Sequence, residues 1–171
     1  MTAVRQVLAG EDTLLRPLAE LLTDAVDGGA SVGFLAPLAR ADAEAYWRGV
    51  FAALGDGVCL WVAEADGRVV GSAQLAPCVK PNGRHRAEVQ KLFVLGAFRG
   101  RGIATDLMRA VERHAAALGR TLLVLDTQAG SAAETLYRKL GWQKAGEIPD
   151  YAASPNGELQ ATAYYFKAIG R

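Results

Sequence analysis

The sequence predicts an α/β fold: a mixed central sheet of about six to seven strands flanked by about four helices, in one domain over residues 1–171. Three observations carry this. The apolar spacing switches from helical near the amino terminus to strand-like after Gly57. An Asp66-Gly67 pair between two apolar runs is a hairpin signal. The later half alternates strand, helix, strand, helix, which demands at least one parallel crossover inside an otherwise antiparallel sheet.

Val4–Leu8 reads as a short first strand. Asp12 is placed to cap a helix from Thr13 to Val26, with Leu14, Leu15, Leu18, Leu21 and Leu22 on one side. A second helix is expected from Asp42 to Leu54, with Ala45, Tyr46, Gly49, Val50 and Ala53 inward. Val58–Ala65 and Arg68–Leu75 form the hairpin strands, and Pro81-Asn82-Gly83 turns the chain into a third strand, Ala87–Val94. Alternation along that strand places Glu88, Gln90 and Leu92 on one face and Val89, Lys91 and Phe93 on the other. The clearest helix is Arg101–Leu118, with Ile103, Leu107, Ala110, Val111 and His114 inward. Thr121–Asp126 is a short apolar strand of the kind buried on both faces. Ser131 and Glu134 have capping-box spacing for a helix to Leu140. Trp142–Ile148 and Ala161–Ile169 close the sheet, joined by a loop through Pro155-Asn156-Gly157.

Composition narrows the function. With 51% apolar and 22% charged residues over 171 positions, the chain buries a sizeable core. A net charge of +1 argues against a nucleic-acid partner, which calls for a basic face. No apolar run is long enough to span a bilayer, and no leader pattern opens the chain. The two cysteines, Cys59 and Cys78, read as buried free thiols, and the default setting is cytoplasmic. His85 and His114 stand apart from each other and from the cysteines, so no metal site is expected.

The chemistry centres on Arg99-Gly100-Arg101-Gly102-Ile103-Ala104-Thr105, between a strand and a helix. The first N–H groups of a helix lack intrahelical partners and favour an anion. Gly100 and Gly102 let the backbone turn and a ligand approach, and Arg99 and Arg101 add positive charge. The segment suits a pyrophosphate. It is not a nucleotide-triphosphate loop, since the Lys-Ser/Thr pair is missing, and its glycine spacing does not fit a dinucleotide fingerprint.

With these residues quoted, the sequence resembles the GCN5-related N-acetyltransferases, whose coenzyme A motif is Arg or Gln, two residues, Gly, one residue, then Gly or Ala. Arg99 to Ala104 match it, preceded by Leu92-Phe93-Val94 and followed by Leu122-Leu123-Val124-Leu125-Asp126 and by Ala133 to Trp142. Within the family, Ala87 to Leu92, Leu125 to Ser131, Gly146 to Tyr151 and Thr162 to Lys167 are similar to the tabtoxin-resistance acetyltransferases. The resemblance implies a sheet splayed between Ala87–Val94 and Thr121–Asp126. It implies acetyl-CoA as cofactor, with Leu92, Phe93 and Val94 on its extended arm and backbone N–H groups from Arg99, Gly100, Arg101, Gly102, Ile103, Ala104 and Thr105 on its pyrophosphate. It implies Asp126 as the base, directly or through water, and Tyr137 near the sulfur.

Tyr137 is also a plausible packed aromatic, and Asp126 a turn former. Glu88 is a second carboxylate for the acceptor site, or a solvated strand end. A carboxylate serves as base near neutrality only where its surroundings raise its pKa. Phe34, Tyr46, Trp47, Asp150 and Tyr151 are candidates for the acceptor wall, with Asp150–Leu159 expected as a covering loop. The expected partner is a small-molecule amine, in a monomer or homodimer. Two alternatives stand beside it: a protein or peptide N-acetyltransferase, which predicts an open groove, and a non-catalytic acyl-CoA sensor.

Overall fold

The computed structural model describes residues 1–170. Strands β1 (Thr2–Val7), β2 (Cys59–Ala65), β3 (Arg68–Pro77), β4 (Arg86–Val94), β5 (Leu122–Gln128), β6 (Gln143–Ala153) and β7 (Leu159–Ala168) form one sheet in the order β1-β2-β3-β4-β5-β7-β6. Helices α1 (Leu15–Asp27), α2 (Arg40–Ala52), α3 (Ile103–Ala117) and α4 (Ala132–Lys139) cover its two faces. The expected α/β class and mixed sheet are found. Every neighbouring pair is antiparallel except β4–β5, which α3 joins by the crossover.

Two apolar clusters lie on opposite faces. One packs α3 and α4 through Leu107, Met108, Val111 and Tyr137 against Val89, Leu123 and Leu125. The other packs α1 and α2 through Leu18, Leu22 and Trp47 against Leu60, Val62 and Phe93. Each fully buried aliphatic side chain contributes about 1.5–3 kcal/mol, so apolar burial supplies most of what fixes both helix pairs on the sheet. The Asp66-Gly67 turn has φ of 51° and 73°, the left-handed pair that matches the twist of a two-residue hairpin.

Several local expectations fail for identifiable reasons. Helix α3 begins at Ile103 rather than Arg101, because Gly102 takes φ 81° and lies outside the helix as its cap. Its fully buried stripe adds Met108 and Ala115, while Ala110 and His114 are half-buried at the margin of the core. His114 instead stacks edge-on to Trp61 at 5.0 Å, with Nε2 3.7 Å from Cys59 Sγ. In α2 the inward stripe is Ala43, Trp47 and Val50, while Ala45 and Gly49 face out, since the bulk of Trp47 sets the rotation of the helix. Asp12 begins a short 3-10 turn and caps nothing, and Glu11 instead accepts from the Leu8 N–H.

The Ser131–Glu134 capping box does not form. Glu134 is buried and accepts from the N–H of Gly130, from the Tyr165 hydroxyl and from Lys144. Strand β6 runs to Ala153, so Asp150 and Tyr151 lie in a strand rather than in a covering loop. Asp150 has φ 50° within an irregular stretch between Ile148 and Ala152. Both cysteines are free but only half-buried.

Candidate active site

The site begins where the sheet comes apart. Strand β4 pairs with β5 only through Arg86–Leu122, Ala87–Leu123 and Glu88–Val124. Beyond Glu88, β4 continues to Val94 and β5 to Gln128, and their facing edges diverge. Asp126 therefore does not end its strand, as the sequence suggested. It stands two residues past the last β4 pairing, opposite Tyr164 of β7.

A bulge in β4 corrects the expected alternation. Ser72 pairs with Phe93 and Gln74 with Gln90, so two steps along β3 face three along β4, and Lys91 takes φ 52°. Before the bulge, Val89 points to the α3 face. After it, Phe93 points to the α1–α2 face, where it stacks on Trp47 at 6.3 Å, while Leu92 and Val94 turn to the α3 face. Leu92 is thus on the opposite face from Glu88 and Gln90, and Lys91 joins those two.

One cleft, about 690 Å3, opens between β4, the start of α3 and α4. Leu92, Phe93, Val94, Arg99, Gly100, Gly102, Ile103, Ala104 and Thr105 all line it. Arg101 does not: its guanidinium lies 4.7 Å from the Phe98 ring centroid and donates to the Ala97 carbonyl. Arg99 is held by the Val94 carbonyl, which its Nε contacts at 3.2 Å.

Gly100 and Gly102, at φ 77° and 81°, are positions where a Cβ would meet no protein atom. That space borders the cleft, and the first N–H groups of α3 start there. The contiguous anion cradle, two glycines and Arg99 fit a pyrophosphate. The sequence reading missed Gly28, Gly29 and Lys139, which line the same cleft from the end of α1 and the end of α4. Asp24 ties α1 to this region by accepting from the Gly96 N–H at 2.9 Å.

A second cleft of about 480 Å3 adjoins the first. Glu88, Gln90, Lys91, Asp126, Gln128, Tyr151 and Thr162 line it, and Leu92, Ser131, Ala133 and Tyr137 border both. Glu88 and Asp126 are brought together on one face, because parallel pairing puts Glu88 level with Val124 and Asp126 two residues on. Of the aromatic candidates from the first half, none lines this cleft. Trp47 is fully buried in the core, and Phe34 and Tyr46 stack edge-to-face at 5.5 Å behind Lys91. Gly29–Gly33 line it instead, and their loop is tied down where the Ala36 N–H donates to the Pro155 carbonyl at 2.9 Å.

Tyr137 is buried between Trp142 and Tyr165, with ring centroids 6.1 and 6.0 Å away. Burial, and then the charge of Asp126, push its pKa up, so the hydroxyl keeps its proton through the physiological range. Tyr164 is pushed up to about 12, chiefly by the neighbouring Tyr151 side chain. Burial depresses the pKa of Lys91, while Asp126 and Glu88 pull it back.

Residues 56–144 match the family model described as an acetyltransferase (GNAT) domain, slightly over half of the chain. The chain belongs to the GNAT acetyltransferase family. It is 37% identical over 116 residues to an uncharacterized N-acetyltransferase encoded in the hisH-hisA intergenic region of Azospirillum brasilense, covering 67% of this chain and 68% of that protein. Among longer relatives, it spans 42% of mouse N-acetyltransferase 8F1. Two solved structures share the fold. The ribosomal-protein-alanine N-acetyltransferase of Brucella melitensis gives a TM-score of 0.82 at 24% identity, over 98% of this chain and 99% of that one. A phosphinothricin acetyltransferase of Sinorhizobium meliloti, solved with acetyl-CoA, gives 0.81 at 20% identity, over 99% and 89%.

Proposed function

We propose that this GNAT chain, one domain over residues 1–171, is a cytoplasmic N-acetyltransferase that moves an acetyl group from acetyl-CoA to the primary amine of a small molecule. The acceptor is an amino-acid-like compound, a toxin or an antibiotic. The observation that carries the reading is the junction of two clefts, one bordered by an anion cradle and one by two carboxylates, at Leu92 and Tyr137.

In this reading the unpaired edge of β4 at Leu92, Phe93 and Val94 holds the donor's extended arm, and the N–H groups from Arg99 to Thr105 hold its pyrophosphate. Acetyl-CoA supplies the activated acyl group. Asp126 takes the proton from the amine, which attacks only when unprotonated, and Glu88 stands as the second carboxylate on the same face. Tyr137, which keeps its proton, donates to the departing sulfur. Because the clefts are contiguous, the amine meets the thioester directly, and no acyl group needs to rest on the protein.

A small acceptor is favoured over a peptide by the loop after α1, which lines the acceptor cleft and is bonded at Ala36 to Pro155. A protein N-acetyltransferase needs an open groove there. The deciding experiment incubates the protein with acetyl-CoA and a panel of amino acids, polyamines, antibiotics and peptides, and measures free thiol. Thiol release with small amines supports the reading. Release with peptides alone moves the acceptor to proteins, and tight acetyl-CoA binding with no release leaves a sensor domain.

A further inference from the structure

Lys91 is the one charged residue of the acceptor cleft that the proposed chemistry does not use, and its placement needs a cause. With strict alternation its side chain would enter the α3-side core beside Val89. The bulge instead holds Lys91 at φ 52°, a conformation that costs an ordinary residue about 1–2 kcal/mol. In exchange, the ammonium is delivered to the acceptor side. It lies 5.7 Å from the centroid of the Tyr46 ring and 3.7 Å from where a Cβ on Gly33 would sit.

There it is half-buried and takes part in none of the ion pairs formed among the described residues. Glu88 and Asp126 act on it electrostatically without forming an ion pair with it. A partly desolvated ammonium without an acceptor is unfavourable, and an anion delivered to it recovers that loss. In the proposed reading the amine approaches through the cleft that Glu88 and Asp126 line, and their charges favour its cationic form on entry. Two carboxylates and one ammonium that line the same cleft without forming an ion pair are the electrostatic complement of a zwitterion.

We propose that Lys91 is a carboxylate-binding residue for the amine acceptor, so that the substrate class is an amino acid or a compound carrying the same pair of groups. This rests on the small-molecule acetyltransferase reading given above.

The test uses matched pairs: the common L-amino acids and their carboxamides, each with acetyl-CoA, with thiol release giving kcat/KM. For the acids that turn over, wild type is expected to prefer the acid to its amide by about 10- to 100-fold, the range of a charge-assisted hydrogen bond. Lys91→Met is expected to bring that ratio close to one, and Lys91→Arg to retain most of it. Calorimetric titration with acetyl-CoA checks that each variant still has a formed donor cleft.

A wild-type ratio near one overturns the proposal whether or not any variant folds. A large ratio that survives Lys91→Met also overturns it, since the carboxylate is then read elsewhere or Lys91 acts on the reacting amine. Thiol release with amides but no acids discards the carboxylate site and leaves the acetyltransferase reading standing. No release from either set, with acetyl-CoA bound, overturns this inference, and only silence across the wider panel of polyamines, antibiotics and peptides removes the acetyltransferase reading itself.

Discussion

The two clefts are built in different ways. Half of the donor side's lining is one stretch of chain, Leu92 to Thr105, presenting strand edge, glycines and helix N–H groups in sequence order. The acceptor side is assembled from β4, β5, β6, β7 and the loop after α1, and presents side chains: Glu88, Lys91, Asp126, Tyr151. A backbone site tolerates changes in most side chains but not in the conformation of its glycines. A side-chain site is the reverse. Substitutions on the two sides should therefore separate binding of the donor from turnover of the acceptor.

The largest effect is expected from Gly102→Glu. It forces a side chain onto φ 81° and puts a carboxylate in an anion cradle. Acetyl-CoA binding should weaken by more than about 100-fold in calorimetry, with the far-ultraviolet dichroism of the fold retained. Should binding persist unchanged, the cradle is not the pyrophosphate site and the contrast between the clefts collapses.

Next come Tyr137, at the junction, and Asp126, in the acceptor cleft. Tyr137→Phe and Asp126→Asn should each lower kcat by about 100-fold, the low end for loss of an acid or base, while the acetyl-CoA Kd stays put. Glu88→Gln should cost less, about tenfold and mainly in KM, if Asp126 is the base. The opposite order in single-turnover rates would exchange their roles.

The smallest effect concerns stability. Glu134, held by Tyr165, the Gly130 N–H and Lys144, has its pKa lowered to about 2 from 4.5. A depressed folded-state pKa stabilises the fold above about pH 4.5, and that contribution is lost as pH falls towards 2. Glu134→Gln should lower stability at neutral pH by about 1–3 kcal/mol in urea melts and flatten the fall on the acid side. A mutant curve parallel to wild type would show that the network does not depend on the charge.

The same contrast explains what could be read from the sequence. The fold class, the hairpin, the crossover and the cradle depend on neighbouring residues, and spacing alone exposes them. Lys91 was invisible as a site residue because its role depends on a one-residue slip against β3, which no local pattern of Val89-Gln90-Lys91-Leu92 encodes. Arg101 looked like a cradle residue because it sits between two glycines, but their left-handed turns aim it at Phe98. Trp47 and Tyr46 were candidates for a wall. The phase of α2 puts one in the core and the other behind Lys91, and that phase is set by contacts with α1 and the sheet. Glu134 has perfect capping-box spacing, yet Tyr165 from a strand 31 residues away competes for its carboxylate.

The parting of β4 and β5 after three pairings leaves a strand edge in the interior of the sheet. Exposed edges recruit other strands and lead to aggregation. This one is wedge-shaped, closed at Glu88 and flanked by α3 and α4, so a neighbouring protein's strand has no straight approach to it. If the donor's arm binds here as proposed, the break in the sheet would work as a size filter, admitting an unbranched chain and turning away the polypeptides that edges elsewhere attract.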